Sequence, residues 1–225
     1  MTATAEESES RGGLNVRELL VGDVSRLELI KRFSTSHVVH HQSVAEHSYF
    51  VALYAMFIAE WVAATYLTEH KINNGYAVLM GGVLQRALIH DIEESRTGDI
   101  PRPFKHSNKM LLAMLDQHAE KQVDPILEKI YPDECKHFIA TWKRSKDATK
   151  EGRIVALADF MSVLAYMMRE LSLYNATMYD NWDSMVDYVA EFSKPEYDFL
   201  RPIVNQVDYL LKEAFAKGAG DKYAY

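Results

Sequence analysis

The segment from Tyr49 to Leu67 constrains the fold most, because it is almost entirely apolar and carries Glu60 as its single charge. A segment of this length can span a bilayer. The internal carboxylate, the interspersed Tyr and Thr residues and the lack of positive flanks instead favour a helix buried in a protein core. Directly before it, Ser43-Val-Ala-Glu46 predicts a capping box, in which each of the two side chains accepts a free backbone N–H. The sequence therefore predicts a long core helix that begins near Ser43.

Apolar residues recur at helical spacing through most of the remaining chain. We expect irregularities at Gly22, at Asp124-Pro125 and near Pro202, and Pro132 suits the first position of a helix. The sequence shows no convincing strand pattern, internal repeat or low-complexity linker, so we predict an all-α, single-domain protein. The predicted helices cover 16–33, 76–95, 107–130, 133–146, 149–173, 180–192 and 196–216, and 34–41 is predicted to be a loop.

The chain has 225 residues, enough for one good-sized hydrophobic core. We expect this domain to cover 14–217, between a disordered tail (1–13) and a C-terminal tail (218–225) that starts where glycines end the last helix. Residues 1–13 lack the apolar segment of a secretory signal. Together with the buried-helix interpretation of 49–67, this predicts a cytoplasmic protein without a membrane partner.

The net charge of −7 argues against the basic surface that binds nucleic-acid polymers. An acidic protein can still bind a small phosphorylated molecule if a metal ion and a few basic side chains reverse the local charge. The single cysteine, Cys135, excludes an internal disulfide and a thiolate metal cage. Its simplest role is that of a small side chain without special function.

An adjacent His90 and Asp91 follow an apolar helical run and precede a Gly/Pro turn. On a regular helix they would point about 100° apart, so a shared metal ion requires a distorted helix end or further ligands from other helices. His47, in the first turn of the apolar helix, and Asp159, inside the apolar run 155–160, are the candidates. Two imidazoles and two carboxylates suit Mn, Fe, Co, Ni or Zn better than Ca or Mg.

Each of these residues also has a simpler interpretation. A lone histidine near a helix start is more often a hydrogen-bonded core residue, and Asp159 can form a salt bridge with Arg153 or Arg169. Glu93 and Glu94 can be a solvated acidic pair, an interpretation that we keep for Glu93. Four candidate ligands at otherwise apolar helical positions favour the metal site.

The pattern of His47, His90-Asp91 and Asp159 resembles the H…HD…D signature of the HD-domain metal-dependent phosphohydrolases. Three longer blocks are similar to the YfbR-like 5′-deoxynucleotidase branch of that family: 26–33 (RLELIKRF), 43–48 (SVAEHS) and 90–101 (HDxxExxTGDIP). The resemblance spans residues 25–160 and implies an HD-type helical bundle with the metal site between core helices.

The resemblance also implies roles for individual residues. The four residues of the signature would hold one divalent ion, which binds a water and the scissile phosphate. Glu94 and Asp99 would position and deprotonate the water or protonate the leaving oxygen, and Glu94 lies four residues after His90, on the same face of a helix. Arg32 matches the phosphate-contacting arginine of the family.

Three further positions are candidates for substrate contacts. Phe33 stands where family members usually have Trp and would border the sugar or base. Lys105 is a candidate second phosphate contact, with an ordinary surface lysine as the alternative. The histidines of the 34–41 loop, His37, His40 and His41, can line the mouth of a pocket or belong to an ordinary polar loop.

The leading hypothesis is hydrolysis of a deoxynucleoside 5′-monophosphate to nucleoside and phosphate. A triphosphohydrolase acting on a deoxynucleoside triphosphate such as dATP is the nearest rival, and it would need more basic groups around the phosphate tail. Arg102, Lys105, Lys109 and Arg153 are available for that. A non-catalytic HD-scaffold binding protein is disfavoured by the complete ligand set, and a cyclic-nucleotide or (p)ppGpp hydrolase lacks expected motifs.

Proteins of this branch are commonly dimers or higher oligomers, so we expect a homodimer or higher homo-oligomer. The Met- and aromatic-rich C-terminal helices can supply an interface, although core packing explains most of these residues equally well. The residues in question are Met161, Met167, Met168, Tyr174, Tyr179 and Trp182.

Overall fold

The computed structural model describes residues 13–66 and 72–221, and within these ranges the chain is all-α, as predicted. Short 3₁₀ helices cover Asp23–Glu28, Ala176–Asn181 and Pro195–Leu200. The extended backbone described here pairs once, at an isolated bridge between Lys31 and Ser43. The α-helices are α1 (Val16–Val21), α2 (Val44–Tyr66), α3 (Ile72–Ile89), α4 (Glu94–Thr97), α5 (Arg102–Lys105), α6 (Lys109–Ile130), α7 (Cys135–Lys143), α8 (Lys150–Ser172), α9 (Trp182–Glu191) and α10 (Arg201–Asp221).

The capping box fixes the start of α2. Glu46 N–H donates to the Ser43 hydroxyl (3.1 Å), and the Glu46 carboxylate accepts from Ser43 N–H (2.7 Å). From there α2 packs against α3 and α8. It is long and apolar enough to cross a membrane by length and composition. Its core-facing side chains recur every three or four positions and are buried in the main hydrophobic core, as the sequence predicted: Val51, Ala55, Ile58, Ala59 and Val62.

A second, smaller apolar cluster joins the end of α3 to α6 and α7. Ile92, just after His90 and Asp91, packs there with Val123 and Ile126 of α6. Cys135 is buried in the same cluster, and its Sγ–H donates to the Pro132 carbonyl. Burial of Ile92 therefore fixes the turn that carries His90 and Asp91 between the two clusters.

Several predicted helix limits are wrong. The predicted helix 76–95 ends at Ile89 and continues as a turn. Helix α6 passes through Pro125 without a break, because the buried side chains on either side of the proline hold it in place. Helix α10 runs through both C-terminal glycines to Asp221, beyond the predicted helix end at 216; the predicted tails include 1–12 and 222–225, which lie outside the described residues.

Buried Glu170 ties the predicted 34–41 loop to α8. Its carboxylate accepts N–H groups from Val39 (2.7 Å) and His40 (2.9 Å) and an amide hydrogen from Asn175 (2.7 Å). Burial opposes the charged form, but these donors outweigh it and lower the pKa of Glu170. The Tyr166 hydroxyl adds a bond to the His40 carbonyl (2.7 Å). The loop is therefore fixed to α8 by the ionised Glu170 and by the Tyr166 hydroxyl.

We expect Glu170→Ala to destabilise the protein by about 1–3 kcal/mol, because three part-buried donors lose the buried carboxylate that accepts them. Urea denaturation at neutral pH measures this. The exposed Glu191, which pairs with Lys194 on the surface, provides the control: Glu191→Ala should change stability little. Since the pKa of Glu170 is lowered, its contribution is lost as the pH falls through that pKa, and the difference from wild type should narrow in acid. An unchanged free energy of unfolding at neutral pH would contradict this role.

Candidate metal centre

Three helices bring the two predicted histidines and two predicted aspartates to one buried point. His47 lies in the first turn of α2, His90 and Asp91 follow α3, and Asp159 lies near the middle of α8. Asp91 Oδ2 is 2.9 Å from His90 Nε2 and 3.6 Å from His47 Nε2. On the other side, Asp159 Oδ1 is 3.0 Å from His47 Nε2. His47, His90 and Asp91 therefore present ligand atoms that all lie within 4.8 Å of one another, and Asp159 lies beside His47.

The end of α3 has the distortion that a sequential His-Asp pair requires. After Ile89 the chain continues in tight turns, with Ile92 N–H bonded to the Ile89 carbonyl and Glu94 N–H to the Asp91 carbonyl. This turn lets two adjacent residues face the same point, which a regular helix does not allow. It also means that His90 and Glu94 do not belong to one helix. The prediction that they share a helix face is therefore wrong.

The ring nitrogens test whether the site fits a metal. His90 Nδ1 donates to the Ala87 carbonyl (2.7 Å), so Nε2 of the neutral ring carries the lone pair. His47 Nδ1 pairs with the Ser162 hydroxyl (2.9 Å). Both Nε2 atoms are buried. Each lies about 3 Å from a carboxylate oxygen, but neither has a hydrogen-bond partner of acceptable geometry among the described residues. Two such nitrogens beside two carboxylates fit a divalent transition-metal ion.

The electrostatics agree with this fit. Burial, followed by the nearby Arg32 charge, lowers the pKa of His47 to about 4, which keeps its ring neutral. Burial opposes ionisation of Asp91 and Asp159, but the neighbouring cations and imidazoles outweigh it and hold the pKa of both carboxyls well below their ordinary range. Neutral imidazoles and ionised carboxylates are the ligand forms that a metal binds.

Two further carboxyl groups lie next to the centre, whereas a third is hydrogen-bonded to Trp142 of α7. Burial, and then the negative charge of Asp91, raises the pKa of Glu94 well above its ordinary value, and Glu94 Oε2 has no hydrogen-bond partner among the described residues. Burial also raises the pKa of Asp99, whose carboxylate accepts the Phe33 N–H. Glu93 instead accepts the Trp142 indole N–H (2.8 Å), and burial raises its pKa, so the interpretation of Glu93 as a solvated residue is wrong. Glu94 and Asp99 therefore hold a proton more readily than ordinary carboxyl groups do.

Arg32 borders the same centre. Its Nη1 lies 3.5 Å from Asp91 Oδ2, its side chain is 12% exposed, and its Nε has no described partner. Burial disfavours the charge, but Asp91 and Asp159 outweigh it and raise the pKa of Arg32. The next residue, Phe33, has a left-handed backbone (φ 56°) and stacks on Tyr166 at 4.8 Å. A buried guanidinium with unused donors is suited to a phosphate.

The other predicted substrate contacts lie outside this group of side chains. Lys105 forms an ion pair with Asp116 of α6 (3.6 Å), and its phosphate contact stays a prediction. His37 and His41 line a cavity of about 280 Å³ together with Asn175. The backbone of His40 is used to anchor the loop.

Lys146 also lies at the centre, although no pattern in the sequence predicted it. Lys146 Nζ lies 2.6 Å from Asp159 Oδ2 and 4.0 Å from Asp91 Oδ1, and the Tyr188 hydroxyl donates to the same Asp159 oxygen (3.2 Å). The sequence also suggests Arg153 and Arg169 as partners of Asp159, but Arg153 faces Glu196 (3.9 Å). Lys146 lies in a polar stretch between helices, where no periodicity marks a buried position.

The helical fold with this buried His/Asp centre defines the class of HD-domain phosphohydrolases. The chain is similar to an HD-domain phosphohydrolase from Listeria innocua, with 25% identity, a TM-score of 0.69, and coverage of 90% of this chain and 92% of that one. A phosphohydrolase from cyanophage S-2L, bound to dA and one catalytic Zn²⁺, shares the fold at 18% identity and a TM-score of 0.52, with 86% of this chain and 96% of that one covered.

The family model described as 5′-deoxynucleotidase YfbR-like matches residues 20–207, and the chain belongs to this family. A 5′-deoxynucleotidase from Vibrio vulnificus is 28% identical over 181 residues, which cover 78% of this chain and 87% of the relative. A second, from Yersinia pseudotuberculosis, is also 28% identical over 181 residues, with 80% and 87% covered. The resemblance seen in the sequence is confirmed, and the centre is a divalent-metal site.

Proposed function

We propose that this protein hydrolyses deoxynucleoside 5′-monophosphates to deoxynucleoside and phosphate, at an ion held by His47, His90, Asp91 and Asp159. The observation that carries the proposal is the pair of buried Nε2 atoms without hydrogen-bond partners, facing two carboxylates beside the buried Arg32. Membership of the 5′-deoxynucleotidase family supports the substrate class.

A divalent ion at this position would lower the pKa of a bound water and draw charge from the phosphate. Arg32 binds the phosphate oxygens with its unused donors. Glu94 and Asp99, both with raised pKa, accept a proton from the attacking water and return one to the leaving O5′ as the P–O5′ bond breaks. The buried surroundings of the His47 ring exclude competing solvent ligands on that side.

The ligand set suits Mn, Fe, Co, Ni or Zn, and we propose one of these as the native ion. Zinc has additional support because the cyanophage phosphohydrolase, which shares the fold, carries Zn²⁺. Metal analysis of protein purified without added metal identifies the ion.

A nucleotide panel tests the proposed activity. Deoxynucleoside monophosphates, ribonucleoside monophosphates and deoxynucleoside triphosphates are incubated with protein loaded with Mn, Co or Zn, and phosphate, pyrophosphate and triphosphate are measured separately. We expect phosphate from deoxynucleoside monophosphates, and none after removal of metal with a chelator. Release of triphosphate alone would favour the rival activity, and no release from any nucleotide would overturn the enzyme hypothesis.

The rival triphosphohydrolase has weaker structural support. Of the basic residues suggested for a triphosphate tail, Lys105 and Arg153 already face carboxylates. The Arg102 guanidinium lies over the Tyr188 ring, 3.6 Å from its centre. A triphosphate would have to compete with these contacts.

The cellular setting remains our proposal: a cytoplasmic protein without a membrane partner that forms a homodimer or higher oligomer. The C-terminal helices have less support as the interface, because Tyr179 and Trp182 pack on Phe215 within the chain and Met167 is buried. Tyr174, by contrast, is 96% exposed. Static light scattering measures the oligomeric state.

A further inference from the structure

Lys146 lies against the outer oxygens of both aspartates of the metal centre. Its Nζ is 2.6 Å from Asp159 Oδ2, whereas Asp159 Oδ1 faces His47. Its distance of 4.0 Å from Asp91 Oδ1 is too long for a hydrogen bond. Asp91 Oδ2 and Asp159 Oδ1 thus face the histidines, and Lys146 lies beside the other oxygen of each carboxylate.

The segment that carries Lys146 is firmly held. Arg86 of α3 donates to Asp147 (2.9 Å) and to the Thr149 hydroxyl (2.6 Å), and Thr149 N–H donates to Asp147 (3.0 Å). The same segment packs tightly on α8, since a Cβ at Gly152 would lie 2.5 Å from the Asp147 backbone. Lys146 is therefore fixed relative to α3 and α8, the two helices that position His90 and Asp159.

The charges at the site leave a role for a second cation. Asp91 and Asp159 together balance the charge of a divalent ion. A phosphate monoester brings up to two further negative charges, of which Arg32 balances one. An ammonium has three donors, and the contact with Asp159 uses one of them. The Lys146 side chain is 35% exposed, against 12% for Arg32, so it is the more accessible of the two basic side chains.

We propose that Lys146 is a second phosphate-binding residue, which acts together with Arg32 on the phosphate of the substrate. This inference rests on the proposed function for the nature of the ligand, a phosphate monoester. Tyr188 donates to the same Asp159 oxygen (3.2 Å) and keeps that oxygen hydrogen-bonded when the lysine is replaced. Replacement of Lys146 therefore removes a phosphate contact and leaves the metal ligands in place.

The test measures binding of inorganic phosphate to the zinc-loaded protein by calorimetry, with metal content determined on the same samples. We expect Lys146→Met to keep one ion per chain and to weaken phosphate binding roughly tenfold to hundredfold, the effect of losing a charge-assisted hydrogen bond. Lys146→Arg should retain most of the affinity. Lys143, which pairs with Glu120 on the surface of α7 (3.6 Å), supplies the control: Lys143→Met should bind phosphate like wild type.

Two results would overturn the inference. One is unchanged phosphate affinity in a metal-loaded Lys146→Met variant. The other is loss of the ion itself, which would make Lys146 a support of the metal carboxylates only. Circular dichroism checks folding, and Lys146→Gln is a second neutral variant if the Met variant does not fold. Phosphate binding that depends on Lys146, in a protein that hydrolyses no nucleotide, would support the lysine's role and refute the proposed function separately.

Discussion

Glu94→Gln should reduce kcat by about 10²–10⁴-fold while the protein keeps its metal ion, because that is the usual contribution of a positioned general acid or base. Glu94 is buried beside Asp91, and its pKa is raised well above the ordinary value of a glutamate. Its Oε2 has no hydrogen-bond partner among the described residues. An amide preserves the size of the side chain but cannot accept the proton. Steady-state kinetics on a deoxynucleoside monophosphate, combined with metal analysis, measures both parts of the prediction.

The neighbouring glutamate is a matched control. Glu93 is also half-buried, but its carboxylate is already engaged by the Trp142 indole N–H. Glu93→Gln retains an oxygen acceptor for that bond, so we expect nearly unchanged kcat. Full turnover by Glu94→Gln would show that its role in proton transfer is wrong.

Asp91→Ala should remove the metal ion and, with it, the activity. Asp91 Oδ2 is close to both histidine Nε2 atoms, at 2.9 Å from His90 and 3.6 Å from His47. Loss of an outer partner of a metal ligand typically costs roughly 10–100-fold in affinity, and loss of a direct ligand should cost more. Inductively coupled plasma mass spectrometry after gel filtration measures the retained metal.

Asp116 supplies the control for the Asp91 variant. It is a largely exposed aspartate that pairs with Lys105 on the surface. Asp116→Ala should therefore retain metal at the wild-type ratio. Stoichiometric metal in Asp91→Ala would exclude Asp91 as a necessary ligand.

The sequence predicted the fold class and the long core helix because their signals are local. A capping box and an apolar stripe act within a few turns, and both are found at the start of α2. Helix limits were less predictable where packing overrides local preference. Pro125 lies inside α6 because buried neighbours hold the helix together, and α3 ends early because Ile92 turns into the smaller core cluster.

In the site, too, residues with a local signal could be predicted and residues placed by distant contacts could not. His47 and Asp159 could be identified because polar residues in apolar helices require a partner. Lys146 gave no such signal: the predicted helix 133–146 ends at Lys143, and Lys146 lies in a polar connection whose path depends on the distant Arg86. The hydrogen bond of Glu93 likewise depends on Trp142, which lies on another helix. Contacts between residues far apart in the chain leave no periodic trace in the sequence.

An anomalous-scattering map from a crystal of the metal-loaded protein, recorded at the absorption edge of the metal, tests the central claim most directly. We predict one peak per chain, at about 2.0–2.2 Å from His47 Nε2, His90 Nε2, Asp91 Oδ2 and Asp159 Oδ1. A peak that lies elsewhere, or one that excludes either histidine, would contradict the proposed metal centre.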